Sequence, residues 1–222
     1  MNRITVYTAI TGGKDYLRTD QNFSSAKFVA FVEPPPGFDS KNWEIRNPYS
    51  LFKDPRRNAR IHKILTHQYI ESEYSIWMDG IFALRVPAEE LIKFLNGCDI
   101  AMFEHNQRDC LFDEASVCIS LKLDDEEKIK KKVNKYRKEQ IKEHNGLFET
   151  GIVVRRHTKK IEELNNLWWS ELSVFSRRDQ ISLNYAIKKL GIQVNRIPGS
   201  MHWDKNSYAY MGSHTMRRED EK

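Results

Sequence analysis

Short, strongly apolar segments alternate along this chain with longer amphipathic ones, and this alternation constrains the fold more than any other feature. Segments such as KFVAFVE (27–33) and YSIWM (74–78) are rich in aromatic and β-branched residues, which is typical of buried strands. Between them, RRNARIHKILTHQYI (56–70) places apolar residues at near-helical spacing. The pattern predicts an α/β fold with a mostly parallel central sheet and helices on both faces.

The remaining segments extend the same alternation. We predict further strands over 3–10, 43–47, 99–105, 146–157 and 192–199. We predict further helices around 88–97, 124–144, 159–175 and 178–191.

Length and composition indicate an ordinary globular protein. With 222 residues, 40% of them apolar, we expect a single domain over 1–222, complete or excised from a longer protein, with 204–222 as a C-terminal tail. No apolar run approaches the roughly 20 residues that span a bilayer, and no secretion signal is recognisable. Three cysteines are too few and too unevenly spaced for a disulfide framework. We therefore predict a soluble, cytoplasmic chain in a reducing compartment, with its cysteines as small buried residues.

The net charge of +5 comes largely from the basic segment 128–144, which follows the acidic run 124–127. Acids at a helix start and bases further along suit the helix dipole, and Ile129, Val133 and Tyr136 fall close to one face. The segment lacks the interleaved aromatic residues and the module motifs of nucleic-acid-binding proteins. We therefore predict an amphipathic helix with a solvated basic side and no nucleic-acid partner.

The apolar strand YSIWM runs directly into Asp79 and Gly80. In parallel sheets, ligands bind beyond the carboxyl ends of the strands, and residues 8–13 and His105 also lie at or past such ends. A carboxylate fixed there, beside a glycine that allows close backbone approach, suits a divalent cation whose other ligands are water and phosphate oxygens. The alternative is an ordinary Asp-Gly turn.

Five segments occur in order across Val6 to Ala186: VYTAITGGKDYL, ARIHKILTHQYIESEYSIWMDG, FEHNQRDCLFDEA, FETGIVVRRH and SRRDQISLNYA. Together they resemble the nucleotide-diphospho-sugar glycosyltransferases of the GT-A fold, and most closely the glycosyltransferase-like group that includes plant hexosyltransferases of the cell-wall and mucilage type. The resemblance implies transfer of a hexosyl unit from a nucleotide-diphosphate sugar, UDP-linked, to a glycan or other hydroxyl acceptor. It also implies Mn²⁺ or Mg²⁺ as the cofactor.

The resemblance assigns the end of the first strand and the following loop to the base and ribose of the donor. It assigns Arg60 and Lys63, which share a helix face, to the phosphates of the donor. His105 and Arg108 match a His-x-x-Arg pattern that contacts sugar hydroxyls or the diphosphate. The complete implied donor set is Tyr7, Thr8, Ala9, Ile10, Asp15, Arg60, Lys63, Asp79, Gly80, His105, Arg108 and Gln180. The alternatives are strand termination for the first residues and a solvated helix flank for Arg60 and Lys63.

For the metal, Asp79 matches the last carboxylate of the Asp-x-Asp motif of GT-A enzymes. The sequence departs from that motif because Trp77 replaces its first carboxylate, as in the Trp-x-Asp-Gly pattern of the plant-like group. Many metal-using GT-A enzymes take a histidine from near the C-terminus, and His202 is the implied second ligand, with Asp204 in reserve.

Sugar transfer passes through an oxocarbenium-like centre, so a carboxylate near it deprotonates the acceptor, supports the cation or acts as nucleophile. The candidates are Asp179, Glu149 and Glu114. Asp179 with Gln180 resembles the Asp-Gln pair that several GT-A families place beside the donor sugar; the alternative is a helix N-cap. Trp168 and Trp169 form either an acceptor platform or part of the core.

Two other functions remain open from the sequence. A sugar-1-phosphate nucleotidyltransferase also uses a parallel sheet and a metal-bound nucleotide, but it normally carries a glycine-rich basic loop after the first strand, where TAITGGKDYL has two glycines. The missing second aspartate alternatively suggests a non-catalytic nucleotide-sugar-binding module.

Overall fold

The computed structural model of the protein describes residues 3–23, 26–201 and 208–212. The strands are β1 (Ile4–Ile10), β2 (Lys27–Val32), β3 (Trp43–Arg46), β4 (Tyr74–Met78), β5 (Phe82–Leu84), β6 (Ile100–Glu104), β7 (Phe148–Arg156), β8 (Asn195–Arg196) and β9 (Ala209–Met211). The helices are α1 (Pro55–Ile64), α2 (Ala88–Ile92), α3 (Leu111–Ser120), α4 (Glu126–Lys138), α5 (Lys159–Val174) and α6 (Asp179–Leu190). Two single 3₁₀ turns cover Thr66–Gln68 and Lys93–Leu95.

The main sheet has seven strands in the order β3-β2-β1-β4-β7-β6-β8. All neighbouring pairs are parallel except those made by β7, which runs antiparallel to both β4 and β6. The predicted α/β architecture with a mostly parallel sheet is therefore confirmed. The antiparallel strand matters for function, because it begins at the edge where β4 and β6 end.

Both faces of the sheet are buried, which explains why its central strands are predominantly apolar. In β1, Val6 and Ile10 belong to a core cluster shared with α2, whereas Tyr7 and Ala9 belong to a cluster on the opposite face, shared with α1, α5 and α6. Alternate residues of a strand point to opposite faces, so each face of β1 is covered by helices. The prediction of helices on both faces is confirmed.

Helix α3 was not predicted from the sequence. Its apolar residues Leu111, Phe112, Ala115 and Cys118 are buried and pack against α4 and α6 in a third cluster. The spacing i, i+1, i+4, i+7 is helical, so the signal was present. The two-stranded sheet of β5 and β9 was also missed, since segments of three residues carry little periodicity.

The basic helix α4 buries Ile129 and Tyr136, as predicted, and it also buries one of its charges. Lys132 donates hydrogen bonds to Ser176 O and Ser182 Oγ, each at 2.9 Å. Burial lowers the pKa of the Lys132 ammonium to about 7, although nearby carboxylates oppose this. The basic side of α4 is therefore not wholly solvated, and one lysine ties α4 to the start of α6.

Candidate active site

Asp79 lies immediately after β4, at the edge of the sheet, and β7 holds its backbone there. The Asp79 N–H donates to Gly151 O at 2.8 Å. Gly80 follows at a point with no room for a side chain, since a Cβ there would lie 2.8 Å from the side chain of Ile10. The Asp-Gly pair therefore permits a close approach between the end of β4 and the end of β1.

Two donors orient the Asp79 carboxylate. Trp77 Nε1 donates to Asp79 Oδ1 at 2.7 Å, and Lys63 Nζ donates to the same oxygen at 3.2 Å. The Trp77 ring is buried, whereas the Asp79 side chain remains 35% exposed. Hydrogen bonds to an ionised acceptor are stronger than neutral ones, so these contacts fix the carboxylate while leaving it partly exposed to solvent.

Lys63 is fully buried and bridges two carboxylates. Its Nζ lies 2.6 Å from Asp179 Oδ2 as well as 3.2 Å from Asp79 Oδ1. Burial lowers the pKa of this ammonium, and the charges of both aspartates oppose the shift. Lys63 therefore lies behind Asp79, whereas the family resemblance implies direct contact with phosphates.

Asp179 begins α6 and is the second carboxylate of this arrangement. Its Oδ2 lies 3.0 Å from Arg60 Nε and accepts a hydrogen bond from Thr150 Oγ1 at 3.2 Å. Burial favours the neutral acid, but the positive charges of Arg60 and Lys63 outweigh it and hold the pKa of Asp179 below its ordinary value. Asp179 is therefore an ionised, buried carboxylate within a charge network, with a side chain only 6% exposed.

This charge network comprises Arg60, Lys63, Asp79 and Asp179 and connects α1, β4 and α6. It contains two cations and two carboxylates, so their charges balance. Buried charges are stable only when they are paired, and here each has at least one opposite charge in contact. The arrangement holds Asp79 rigidly at the sheet edge.

A cavity of about 470 Å³ lies beside this edge, within the usual size range of small-ligand sites. The predicted donor residues Ile10 and Asp15 line it, and the position of a Cβ on Gly80 would be 3.9 Å from Asp15 Cβ. Asp79 and Gly80 do not line the cavity themselves, but Gly80 packs against Ile10 and Asp15, which do. The remaining walls of the cavity come from the loop after β1, the end of β2, the segment before α1 and the first turn of α1, including Thr11, Glu33, Tyr49, Phe52 and Asn58.

Side chains of α1 hold the segment before that helix in place. Asn58 Oδ1 accepts from the backbone N–H groups of Leu51 and Phe52, at 3.0 and 2.9 Å. His62 Nε2 accepts from the Tyr49 N–H at 3.1 Å, and its ring is stacked with that of Tyr49. Burial lowers the pKa of His62 to about 4, so the ring is neutral and can accept this hydrogen bond. Hydrogen bonds from the segment 49–52 to side chains of α1 thus fix this part of the cavity wall.

The predicted donor residues of β1 divide between two environments. Ile10 reaches the cavity, but Tyr7 is fully buried on the opposite face. The Tyr7 hydroxyl donates to Lys63 O at 3.2 Å and accepts from Arg155 at 2.9 Å. Thr8 and Ala9 are also buried. Among these residues, only Ile10 has a side chain that lines the cavity.

His105, Arg108 and Glu114 form a second cluster at the same edge, where the His105 N–H donates to Leu147 O at 2.9 Å. Arg108 Nε donates to Glu114 Oε2 at 2.9 Å, and Arg108 Nη2 lies 2.9 Å from His105 Nε2. Glu114 is buried, and its other oxygen lies 3.8 Å from Arg178 Nη2. Arg178 precedes Asp179, so the chain links this cluster to the charge network.

The remaining predicted site residues lie in β7, α5 and α6 or outside the described residues. Glu149 is buried near the start of β7, next to Thr150. Trp168 is buried and donates to Asp179 O at 2.9 Å, whereas Trp169 is partly exposed and packs against Phe52 at a centroid distance of 6.1 Å. Gln180 lies in the first turn of α6. His202 and Asp204 lie outside the described residues.

Trp77 was interpreted from the sequence as a departure from the Asp-x-Asp motif that matches the Trp-x-Asp-Gly pattern of the plant-like group, and its contact with Asp79 was missed. A signal existed, because residues two apart on a strand point to the same face. The roles of Asn58 and His62 in holding the cavity wall were also missed, and nothing in the spacing of these residues indicates them.

Within the described residues, no helix combines the length and apolar character needed to cross a membrane.

Comparisons with known proteins show which family and which relatives this chain is similar to. The model of the family described as "TOD1/MUCI70, glycosyltransferase-like domain" matches residues 43–209. The "Probable hexosyltransferase MUCI70" of Arabidopsis thaliana is 25% identical, over 86% of this chain and 38% of that protein. This chain therefore spans well under half the length of that relative.

Solved structures with a similar fold include a glycosyltransferase involved in glycosylation of the major capsid of PBCV-1. It is 10% identical, covers 87% of this chain and 81% of its own, and gives a TM-score of 0.51. The apo structure of the bifunctional glycosyltransferase WbbM is 14% identical over 88% of this chain and 38% of its own, with a TM-score of 0.49. At 10% identity the likeness to the PBCV-1-related glycosyltransferase concerns the fold alone, and it supports the predicted GT-A architecture. The family match covers most of the chain and includes β4, Asp79 and α6, so the chain belongs to the TOD1/MUCI70 glycosyltransferase-like domain family.

Proposed function

We propose that this chain transfers a hexosyl unit from a nucleotide-diphosphate sugar, UDP-linked, to a hydroxyl group of a glycan or other acceptor, with the assistance of a divalent cation. The observation that carries the proposal is the Asp79 carboxylate, which is partly exposed and is oriented by Trp77 and Lys63. The next residue, Gly80, packs against Ile10, which lines a cavity of about 470 Å³ at the sheet edge. Membership of a glycosyltransferase-like family supports the reaction class.

The donor set fits a cation that shares its ligands with a diphosphate. The described contacts of Asp79 both use Oδ1, so Oδ2 is the proposed ligand atom. Mn²⁺ and Mg²⁺ are hard cations, and Mg²⁺ commonly takes one or two carboxylates while phosphate oxygens and water complete its shell. His202 is the proposed second protein ligand. When bound, the cation would neutralise charge that gathers on the leaving diphosphate.

The chain's own charges would act mainly by preorganisation. Lys63 and Trp77 hold Asp79, while Asp179 holds Lys63 and Arg60. Fixed charges need no reorganisation when the leaving group becomes negative, which is a major source of catalysis in such sites. Arg60 is the partly exposed cation of the network, and we assign it to the diphosphate.

The three carboxylates predicted as catalytic are all buried: Asp179, Glu114 and Glu149. A general base must come within hydrogen-bonding reach of the hydroxyl that it deprotonates. Asp179 is also engaged by two cations, and Glu114 by Arg108. We therefore assign Asp179 and Glu114 to positioning of the charged groups rather than to proton abstraction.

For the acceptor, we propose the surface formed by Phe52 and Trp169. Phe52 lines the cavity and packs against Trp169, so this aromatic pair continues from the cavity to the outside of α5. The faces of sugar rings are apolar, and aromatic side chains bury much surface against them. Trp168 is excluded from this role because it is buried in the core.

The test is calorimetric titration of the chain with UDP, with and without Mn²⁺. We expect binding that requires Mn²⁺ in the wild type and falls about 10- to 100-fold in Asp79→Asn, as for loss of a contact between charged groups. The matched control is Glu163→Gln, an exposed acid on α5, which should bind as the wild type does. Asp79→Asn keeps the size of the side chain, so circular dichroism should show an intact fold.

Other outcomes would replace the proposal. Absence of UDP binding would favour a non-catalytic module of different specificity. Turnover of a sugar 1-phosphate with a nucleoside triphosphate would favour a nucleotidyltransferase. Hydrolysis or transfer from a UDP-sugar that survives Asp79→Asn unchanged would contradict the role of this carboxylate.

A further inference from the structure

Three side chains with metal-binding atoms meet outside the residues used above. Cys110 immediately precedes α3, Asp113 lies in the first turn of α3, and His144 lies in the loop between α4 and β7. Their candidate ligand atoms, a thiol sulfur, a carboxylate oxygen and a ring nitrogen, all lie within 4.8 Å of one another. The fold brings them together from positions more than 30 residues apart in the chain.

The distances suit a tetrahedral ion. Zinc bonds to sulfur, nitrogen and oxygen measure about 2.0–2.3 Å, which places neighbouring ligand atoms about 3.5 Å apart. The observed upper limit of 4.8 Å therefore exceeds this spacing by little more than an ångström. The side chains of His144 and Asp109 are 62% and 64% exposed, so both can shift together to close the gap without disturbing the core or their contact.

A second observation points to a metal. His144 Nδ1 lies 2.8 Å from Asp109 Oδ1. An ionised carboxylate can only accept, so Nδ1 carries the proton in this hydrogen bond. Nε2 then keeps its lone pair and is the ligand atom that we assign. Histidines that bind metals almost always donate their other ring N–H to a carboxylate or carbonyl, which fixes the ring and raises its basicity. Asp109 thus supplies the outer partner that a metal-bound histidine requires.

The ligand types select the ion. A thiolate disfavours Mg²⁺, Ca²⁺ and Mn²⁺, which prefer oxygen, whereas zinc accepts sulfur, nitrogen and oxygen together. We propose that Cys110, Asp113 and His144 form a zinc site, with Asp109 orienting His144 and water in the fourth position.

The site would connect two segments that border the candidate active site. The turn after β6 contains His105, and the loop before β7 ends at Leu147; they already share the hydrogen bond from the His105 N–H to Leu147 O. His144 also has a left-handed backbone, with φ of 49°, which a metal bond would hold in place. Zinc would therefore fasten the loop before β7 to the start of α3.

The test measures zinc affinity of the full chain after removal of metal by a chelator, by competition with a chromophoric zinc indicator. We expect binding of one equivalent in the wild type and a loss of at least about 10-fold in both His144→Ala and Asp109→Asn. Cys98→Ser is the control, because Cys98 is a free thiol outside the cluster. It should bind zinc as the wild type does.

Cobalt substitution identifies the ligands independently. Bound Co²⁺ should give a thiolate charge-transfer band in the wild type and in Cys98→Ser, and the band should be absent in Cys110→Ser. If Cys110→Ser does not fold, the exposed His144→Ala variant still decides the question through the zinc affinity. Equal zinc affinities of wild type and His144→Ala, or a cobalt complex without a thiolate band, would overturn the proposal.

Discussion

Replacement of Lys63 by methionine should destabilise the chain more than any change of an exposed lysine. Lys63 is fully buried and contacts both Asp79 and Asp179. Methionine has a similar length and fills the same space, but it leaves Asp179 with Arg60 and the Thr150 hydroxyl as its remaining partners. The variant therefore isolates the loss of the charge.

The expected size follows from these contacts. Removing one partner of a buried ion pair costs about 3–5 kcal/mol, because the other charge stays buried without compensation. Asp79 is 35% exposed and regains water, and Asp179 keeps Arg60, so we expect the lower end, about 3 kcal/mol. The double variant Lys63→Met with Asp179→Asn should lose less than the sum of the single variants, with a coupling of about 1–3 kcal/mol.

The assay is urea unfolding followed by tryptophan fluorescence, with the free energy extrapolated linearly to water. The control is Lys130→Met, since Lys130 is 51% exposed and pairs with Glu126 on the surface of α4. That change should stay within about 0.5 kcal/mol of the wild type. If Lys63→Met were equally mild, the buried bridge between the two aspartates would not exist, and the preorganisation of Asp79 would lose its basis.

Two further predictions concern the cavity wall and the carboxylate. The unfolded state binds a proton at His62 near pH 6.5, but the folded state does so only near pH 4, so the free energy of unfolding should fall as the pH drops through this window. The variant His62→Gln should remove about 3 kcal/mol of that fall. The measurement is urea unfolding at several pH values. An unchanged pH dependence in the variant would mean that the ring is not buried in its neutral form. Trp77→Phe keeps a buried aromatic ring but removes the N–H that orients Asp79, so Mn²⁺-dependent UDP affinity should fall about 10-fold, the value of a hydrogen bond to a charged group. Calorimetry that finds equal affinity would show that Lys63 alone is sufficient.

Much of the fold was predictable because its evidence is local. The strands β1, β2, β4 and β7 are predominantly apolar and buried along nearly their whole length, and this reflects burial on both faces of the sheet. Helix α3 was missed although its spacing is helical, because the short segment between β6 and the charged helix was assigned no element. The antiparallel direction of β7 could not be predicted, since strand direction depends on the path of the connecting segments and leaves no mark on the strand itself.

The residues of the candidate site likewise differ in whether the evidence for their role is local in the sequence. Asp79 was predictable, because a carboxylate at the end of an apolar strand is a local feature. The environment of Lys63 was not: its sequence neighbourhood is that of a helix flank, and its burial depends on Asp179, which is 116 residues further along the chain. Tyr7 was assigned to the donor for the converse reason, since strand position alone does not tell which face of β1 reaches the cavity.

Trp77 shows how one substitution can change the electrostatics of a site without removing it. In the Asp-x-Asp pattern this position supplies a second negative charge, whereas here it supplies a neutral N–H donor to Asp79. Lys63 then offsets the charge of Asp79, and Arg60 offsets that of Asp179, so the charge network has no surplus negative charge for a cation. In the proposed reaction the compensating charge would come from the diphosphate. Since coupling between two ligands is reciprocal, nucleotide and cation should strengthen each other's binding by the same factor.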